Sequence, residues 1–312
     1  MPELPEVEGI RRRLAPHLVG RPIERLDVRD AKLWRPAEGL AAAAVAGRAV
    51  RALERRAKLL IFGLDGALAL VLHLKIAGQL VYEPPDGQRL VGGHPYPLPG
   101  AALPDTSTRF VLAFRSGTLY VNDQRRFAWL RLLPEEGVQT LVAGQRYGPD
   151  PLEPAFTPEV LAARLRARKG RPVKAALLDQ TCVAGLGSIY ADESLHRARL
   201  HPLTRSGALT AEHVARLHQA IRDVLEVAVP VGGAIVKAGR AVPERESGRD
   251  FLRAHGRAGL PCLDCPPPDQ AGGAPDGARG PAGDGLGRGR IARAVIAGRG
   301  TYFCPVCQPP PA

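Results

Sequence analysis

Short apolar runs alternate with turn signals over the first part of the chain, from Arg21 to about Leu133. The runs include AVRALERRAKLLIFGL, ALALVLHL, RFVLAF and TLYVND, and Asp-Gly, Gly or Pro-rich turns separate them. Such runs are typical of strands joined by tight turns. Ahead of them, apolar residues from Val7 to Leu18 recur at three- and four-residue steps, as in an amphipathic helix. The pattern predicts an antiparallel β-sandwich or barrel preceded by a helix.

The pattern changes to helical after the Pro-rich stretch PDPLEPAFTPE. The segments PEVLAARLRAR, VKAALLDQ, SIYADESLHRAR and TAEHVARLHQAIRDVLEVAV carry helical spacing and charged faces, which predicts a second, helical module. Between two of them lies TCVAGLG, whose glycines suit a tight turn into a helix that Ser188 can cap. A helix, a glycine turn and a helix can present backbone N–H groups to phosphate. The stretch from Gly232 to Leu260 has weak periodicity and is predicted to be a loop.

Near the C-terminus, four of the five cysteines form two Cys-x-x-Cys pairs. The pairs are Cys262 with Cys265 and Cys304 with Cys307. Four such thiolates match one tetrahedral structural zinc ion. Residues 266–290, between the pairs, are rich in Pro and Gly without any aromatic residue, which indicates a disordered insertion. The segment RIARAVIAGRGTYFC then predicts a hairpin around the turn 297–300, with Arg299 at its tip.

Lys and Arg outnumber Asp and Glu by 43 to 31, a formal net charge of +12 over 312 residues. This balance indicates a polyanion or an acidic membrane surface as partner. The opening MPELPEVEGIRRR lacks the apolar block of a signal peptide, and no segment predicts a membrane span. We therefore expect a cytoplasmic protein, in which paired cysteines bind a metal rather than form disulfides.

Pro2 follows the initiator methionine, and a residue this small permits removal of Met1. The mature chain would then begin with a secondary amine. An α-amine has a pKa of about 8, so part of it is unprotonated at neutral pH. A secondary amine condenses with an aldehyde to give a cationic iminium, which is an electron sink. Taken alone, Pro2 favours the interpretation that it is an ordinary second residue.

The string PELPEVE resembles the N-terminus of the bacterial formamidopyrimidine-DNA glycosylase family. RRAKLLIFGL, HLKIAGQL, NDQRRF, YGPDPLEP, LLDQTCVAGLGSIYADESLHRARLHPL and GRGTYFCPVCQ continue the resemblance in the family's order, over nearly the whole chain. It implies an α+β fold with an N-terminal antiparallel β-sandwich and flanking helices, a helix-two-turn-helix module and a C-terminal zinc-ribbon finger. It also implies base excision repair: a glycosylase that removes 8-oxoguanine and formamidopyrimidines, and an abasic-site lyase that nicks DNA by β,δ-elimination.

The resemblance implies a role for individual residues. Pro2 matches the Schiff-base nucleophile, Glu3 the acid that assists opening of the deoxyribose ring, and Glu6 a supporting residue. Lys58 matches the lysine of proton transfer and phosphate contact, and Arg299 the finger arginine that grips the flanking phosphate. Taken singly, Glu3 could be a helix N-terminal carboxylate, and either cation a solvated charge.

A further set of positions matches DNA-contacting residues of the family: His73, Ile76, Ser107, Arg125, Arg126, Phe127, Lys169, Ser188 and Glu193. Arg125 would fill the gap beside the orphaned base, and Phe127 would wedge the base stack while a nucleotide is extruded. Glu193 is expected near the damaged nucleotide. His73, in the apolar run LVLHL, could instead belong to the core.

Three of these positions depart from the family's pattern. Ile76 stands in His-Leu-Lys-Ile-Ala-Gly where the family has His-Leu-Gly-Met-Ser-Gly, Ser107 replaces a DNA-contacting histidine, and Ser188 replaces a turn asparagine. The expected lesion loop, AIVKAGRAVPERESGRDF, also lacks much of the family's sequence. Lesion choice is therefore the least determined part of the resemblance.

The sequence predicts three domains: a catalytic β-sandwich over 1–134, a helical DNA-binding module with the lesion loop over 135–257, and a zinc finger over 258–312. The expected partner of this monomer is double-stranded DNA with a damaged base or abasic site, in a bacterial, nucleoid-associated location without a membrane. Alternatives are a non-catalytic damage-binding paralogue, an endonuclease VIII-type enzyme for oxidised pyrimidines or hydantoins, and a generic zinc-ribbon module.

Overall fold

The computed structural model describes residues 2–86, 88–98, 100–233, 251–265 and 289–311. The chain divides into two compact units, and each is built from two stretches of sequence. The first comprises Met1–Arg146 and Ala228–Asp250, and the second comprises Tyr147–Val227 and Phe251–Ala312. Among the described residues, no helix combines the length and the apolar character needed to cross a membrane.

The first unit opens with helix α1, Leu4–Leu18. It starts three residues earlier than its apolar spacing predicts, because Glu3 and Glu6 form a capping box and a proline occupies the first turn. The apolar face, which includes Val7, Ile10 and Leu14, is buried in the main core of this unit. The predicted helix is confirmed and extended at its start.

Among the described residues of this unit, nine strands follow in two antiparallel sheets. Their bounds are β1 Ile23–Val28, β2 Val50–Arg56, β3 Leu59–Leu64, β4 Leu68–His73, β5 Gly78–Glu83, β6 Leu90–Gly93, β7 Thr108–Phe114, β8 Gly117–Asp123 and β9 Trp129–Pro134. One sheet has the order β1-β7-β8-β5-β6, and the other has the order β2-β3-β4-β9. Side chains from both sheets and from α1 share one core, which confirms the predicted sandwich.

Strand β7 illustrates why the alternating pattern forms such a sheet. Phe110 and Leu112 point into the main core, whereas Val111 between them packs in a second cluster with Val81 and Tyr120 on the other side of the sheet. Successive side chains of a strand face opposite sides, so a run such as RFVLAF covers both faces at once.

Helix α2, Glu135–Gly144, packs on β4 and β9 and therefore belongs to the first unit. The sequence division at residue 134 instead groups it with the helical module. The difference arises because α2 follows β9 directly and packs against the sheet that contains β9.

The second unit contains four α-helices and a hairpin among its described residues. Their bounds are α3 Pro158–Arg166, α4 Val173–Leu178, α5 Ser188–Arg197, α6 Ala211–Ala228, β10 Ala292–Ile296 and β11 Arg299–Phe303. Helix α5 packs against both α4 and β11. The helical segments predicted from sequence are confirmed.

Details of the finger differ from the sequence-based expectation. Ala297 and Gly298 form the turn, both with positive φ, and Arg299 pairs with Ile296 as the first residue of β11 rather than standing within the turn. Of the predicted insertion, residues 266–288 lie outside the described part, but Gly289 and Arg290 belong to the folded finger. The Gly289 carbonyl accepts a hydrogen bond from the Cys262 N–H at 2.7 Å. Residues 234–250, which hold most of the expected lesion loop, also lie outside the described residues.

Candidate active site and nucleic-acid interface

The N-terminal residues are held by the start of α1. Pro2, Glu3 and Glu6 are all buried, and the Glu6 carboxylate accepts a hydrogen bond from the Glu3 N–H at 2.8 Å. Gly233, with a φ of +85°, packs so tightly on the Glu6 side chain that any larger residue would collide with it. Glu6 therefore fixes the backbone at Glu3, next to the predicted nucleophile.

Glu8, on the next turn of α1, accepts hydrogen bonds from three arginines. Its carboxylate accepts hydrogen bonds from Arg11 at 2.7 Å, Arg12 at 2.7 Å and Arg55 of β2 at 3.1 Å. Burial alone would raise the pKa of Glu8, but the hydrogen bonds from Arg11 and Arg12 and the charges of Arg11 and Arg55 lower it to about 2. The helix that follows Pro2 is thereby tied to strand β2.

The β2–β3 turn carries Lys58. Ala57 adopts a φ of +52°, and the Arg55 guanidinium donates to the Ala57 carbonyl at 3.0 Å, which supports the turn from inside. Lys58 is mostly buried at the turn, and its neighbour Leu59 pairs with His73 on β4. The sequence-predicted Lys58 and His73 are therefore brought to the same end of one sheet.

The imidazole of His73 is neutral rather than cationic. Burial, with the nearby charges of Lys75 and Lys58, lowers its pKa to about 3. Its Nδ1 accepts the Lys75 N–H at 2.9 Å, so the ring proton lies on Nε2. The adjacent β4–β5 turn exposes Ile76, the residue expected to probe the base stack.

A buried carboxylate fixes the loop after β8. Asp123 is fully buried and accepts three backbone hydrogen bonds, from Arg125 at 2.9 Å, Phe127 at 2.7 Å and Ala128 at 2.6 Å. The loop thus exposes Phe127, with the Arg125 guanidinium 5.1 Å from its ring centre. Solvent exposure of Phe127 supports the wedge interpretation over a core phenylalanine.

Arg126 and Ser107 are held by internal acidic partners. Arg126, at a φ of +57°, donates to the Asp30 carboxylate at 2.8 Å. Ser107 is buried, and its hydroxyl donates to Asp105 at 2.7 Å. A phosphate contact from either residue stays a prediction, and the Ser107 hydroxyl is already engaged.

In the second unit, the turn before α5 is supported by Gln180. Its side chain donates to the Leu186 carbonyl at 2.8 Å and accepts from the Gly185 N–H at 2.9 Å. Gly187, not Ser188, is the N-cap of α5, and Ser188 is the first helical residue. The expected serine cap is therefore wrong, although Ser188 still lies at a helix N-terminus, where N–H groups attract anions. Lys169 is exposed after α3.

Glu193 on α5 is engaged within the protein. Its buried carboxylate accepts backbone hydrogen bonds from Arg253, Ala254 and His255 at 2.6 to 3.0 Å, and burial raises its pKa. This anchoring of residues 253–255 is what the structure shows for Glu193, and proximity to the damaged nucleotide stays a prediction.

Sequence analysis did not find the acidic anchors Asp30, Asp123 and Glu8, nor the buried pair Lys174 and Asp192, whose atoms lie 2.5 Å apart. For Asp123 a signal existed, since an aspartate before a short polar loop often accepts backbone hydrogen bonds. Asp30 and Asp192 pair with side chains that are distant in sequence. Glu8 contacts Arg11 and Arg12 on its own helix, at a spacing of three and four residues that is itself a local signal, and among these contacts Arg55 is the distant one.

The finger gathers the four cysteine Sγ atoms within 4.8 Å of one another. Cys262, Cys265 and Cys304 are buried, and Cys307 is partly exposed. The donor set and its closeness fit one tetrahedral zinc ion with no ligand position left for water. Arg299, on the same hairpin, is exposed to solvent.

Three family models match the chain. Residues 1–130 match the formamidopyrimidine-DNA glycosylase N-terminal domain, residues 147–239 match the formamidopyrimidine-DNA glycosylase H2TH domain, and residues 288–310 match the zinc finger found in FPG and IleRS. The finger match and the clustered thiolates assign one structural zinc ion to the four cysteines.

Curated relatives match over their whole length. The formamidopyrimidine-DNA glycosylase of Chloroflexus aurantiacus is 39% identical, covering 99% of this chain and 98% of the relative. That of Methylobacterium radiotolerans is 40% identical, covering 99% of this chain and 100% of the relative.

Solved structures are also similar to this chain. A Lactococcus lactis FPG variant bound to DNA containing Fapy-dG matches with a TM-score of 0.79 and 27% identity, covering 99% of this chain and 100% of that one. A complex of Lactococcus lactis Fpg with DNA containing an abasic site matches with a TM-score of 0.78 at the same identity and coverage. This chain therefore belongs to the formamidopyrimidine-DNA glycosylase family.

Proposed function

We propose that this protein is a bifunctional DNA glycosylase and abasic-site lyase that removes oxidised purines, with Pro2 as its nucleophile. The observation that carries the proposal is the placement of Pro2 directly before a helix whose Glu3 and Glu6 cap it, in a chain of this family. Both glutamates are buried and lie within four positions of Pro2 along the chain.

The proposed reaction begins at C1′ of the damaged nucleotide. The unprotonated Pro2 nitrogen forms a bond to C1′ while the glycosidic bond breaks, and the base leaves with a proton. Glu3 delivers a proton to the ring oxygen, which opens the sugar and leaves an iminium. That iminium acidifies C2′, so loss of a C2′ proton expels the 3′ phosphate, and a second elimination expels the 5′ phosphate.

Cations would stabilise the phosphates as they leave. Lys58 is held at a hairpin turn that the Arg55–Glu8 pair supports, and we assign it to the phosphate and proton transfers of β-elimination. Arg299 is exposed on the finger, and we assign it to the flanking phosphate and the second elimination.

We propose that the remaining contacts divide between phosphates and bases. His73, through its Nε2–H, Lys169 and the α5 N-terminus at Ser188 suit phosphate oxygens. The exposed Ile76 and Phe127 suit the base stack, and Arg125 suits the gap that extrusion leaves.

The proposed partner is double-stranded DNA with an oxidised purine or an abasic site. The matched Lactococcus lactis proteins were solved with DNA containing Fapy-dG or an abasic site, which supports this choice. We further propose that the protein acts as a monomer in the bacterial cytoplasm, at the nucleoid.

Borohydride trapping tests the proposal on three duplexes, containing 8-oxoguanine opposite cytosine, an abasic site, or no lesion. We expect a covalent adduct with the first two. The adduct should form much more slowly with Pro2→Gly, whose terminal primary amine can still give an imine, and should be lost from protein that retains Met1 by mass spectrometry. Trapping by Pro2→Gly at the wild-type rate would refute the nucleophile.

The same duplexes separate the alternatives. An adduct on the abasic duplex alone would indicate a lyase with another base preference, such as oxidised pyrimidines or hydantoins. Tight binding without any adduct would indicate a damage-binding protein, an outcome that Ile76 in place of methionine and the engaged Ser107 hydroxyl would then explain.

A further inference from the structure

Helix α5 ends beside the zinc-binding cysteines, and its next-to-last residue, His196, is 2% exposed. The His196 Nε2 lies 3.4 Å from the Sγ of Cys262, which is within hydrogen-bonding distance for sulfur. None of the four cysteine ligands lies on α5, so this contact joins the finger to the helix whose first turn carries Ser188.

The chemistry of a zinc ligand fixes the direction of this hydrogen bond. A cysteine that binds zinc is a thiolate and has no proton to donate. The 3.4 Å contact can therefore be a hydrogen bond only if Nε2 carries the ring proton. We propose that His196 is a positioning residue of the zinc site, whose Nε2–H donates to the Cys262 thiolate.

The other side of the ring faces the first cysteine pair. Asp264, between Cys262 and Cys265, places a carboxylate oxygen 3.3 Å from Nδ1, although not in the direction of a hydrogen bond. The imidazole is thus fixed between a ligand thiolate and the loop that carries it. Groups that donate to metal ligands orient them and reduce their negative charge, and their removal commonly lowers metal affinity on the order of 10- to 100-fold.

Solvent reaches the edge of this arrangement. A recess of about 500 Å³ is lined by His196, Arg197, Arg199, Asp264 and Cys307. Chelators and thiol reagents can therefore approach the zinc site from this side. The hydrogen bond from His196 would slow the reaction of the Cys262 thiolate with thiol reagents, because a hydrogen-bonded thiolate is a weaker nucleophile. It would also slow loss of the metal to chelators, because it keeps this ligand oriented.

An aromatic side chain without a nitrogen could fill the same volume, so the test must detect the proton rather than the packing. In protein substituted with ¹¹³Cd and labelled with ¹⁵N-histidine, we expect a protonated Nε2 for His196 and a scalar coupling between its N–H proton and the metal. An unprotonated Nε2 would overturn the proposal. This measurement uses the wild-type chain and is independent of glycosylase activity.

Substitutions provide a second readout. We expect His196→Phe to release zinc to a chelator on the order of 10-fold faster than wild type, and to shift the thiolate-to-metal charge-transfer band of the Co²⁺ form to lower energy. The control is His213→Phe on α6, since His213 hydrogen-bonds with Thr210 rather than with a cysteine among the described residues. Wild-type release and an unshifted band in folded His196→Phe would refute the role, and if that variant does not fold, the ¹¹³Cd experiment decides.

Discussion

Replacing Glu8 with glutamine should weaken the first unit by an amount that depends on pH. The pKa of this carboxyl falls from 4.5 to about 2 in the folded protein, mainly through hydrogen bonds from Arg11 and Arg12 that outweigh the cost of burial. Since each tenfold change in a proton affinity is worth about 1.4 kcal/mol, the ionised Glu8 contributes about 3 kcal/mol to the free energy of unfolding at neutral pH.

The sign follows from the lowered pKa. The contribution is complete above pH 4.5 and is lost as the pH falls toward 2, so about 1.4 kcal/mol remains at pH 3. Glu8→Gln should therefore differ from wild type by about 3 kcal/mol at pH 7 and by less than half of that at pH 3.

Urea unfolding monitored by tryptophan fluorescence measures this difference. Both tryptophans of the chain, Trp34 and Trp129, lie in the first unit, so the signal reports that unit alone. The control is Glu24→Gln. The Glu24 carboxylate is exposed, and its Oε1 lies as far as 4.0 Å from Nε of the exposed Arg115, a pair of the kind that contributes less than about 1 kcal/mol.

An equal loss at pH 3 and pH 7 would refute the electrostatic argument and leave only a packing defect. A functional consequence should accompany the loss, because Arg55 links Glu8 to the turn that carries Lys58. We expect the abasic-site nicking rate of Glu8→Gln to fall while its borohydride adduct still forms.

Three further substitutions test other parts of the structure. Cys304→Ser should lower the zinc content measured by atomic absorption and weaken DNA binding, because a buried ligand is lost; full metal content and affinity would count against the zinc site. Lys75→Gly should raise the unfolding free energy by up to about 1 kcal/mol, since Lys75 has a φ of +54°, and a loss of stability would contradict this expectation. Asp123→Asn should cost about 1–3 kcal/mol of stability, because at least one buried backbone N–H loses its acceptor. It should also reduce excision of the intact lesion more than cleavage at an abasic site. Equal effects on both substrates would refute the role of Asp123 in positioning Arg125 and Phe127.

Periodicity was sufficient to predict most of the helices and strands, because side-chain burial repeats along each element with a fixed period. Thus Phe110 and Leu112 predict a strand with a core face, and the spacing from Val7 to Leu18 predicts α1. Turn details were less accessible. Alanine is a weak turn signal, so the two-residue turn at Ala297 and Gly298 was predicted as a longer one, with Arg299 in the wrong place.

In the candidate site as well, the sequence predicts some features and not others. Motif resemblance located Pro2 and Lys58, but it could not show what each side chain contacts. Glu193 is engaged by the backbone of residues 253–255, about sixty positions along the chain, and no local pattern reports a partnership over such a separation. Likewise, the engaged Ser107 hydroxyl depends on how the loop before β7 folds back on itself.

The discontinuity of the first unit has a consequence for synthesis. The Gly9 face of α1 is covered by Gly232, whose Cα would lie 2.6 Å from any Cβ at position 9. A ribosome must therefore translate helices α3 to α6 before the cover for α1 exists. Helix α1 is synthesised first, but it can complete its packing only after Gly232 has been synthesised. A fragment that stops at residue 146 would lack this cover, so Pro2, the proposed nucleophile, would precede a helix that is open on one side. Expression of the first unit alone would require a connection from residue 146 to residues 228–233 in place of the helices.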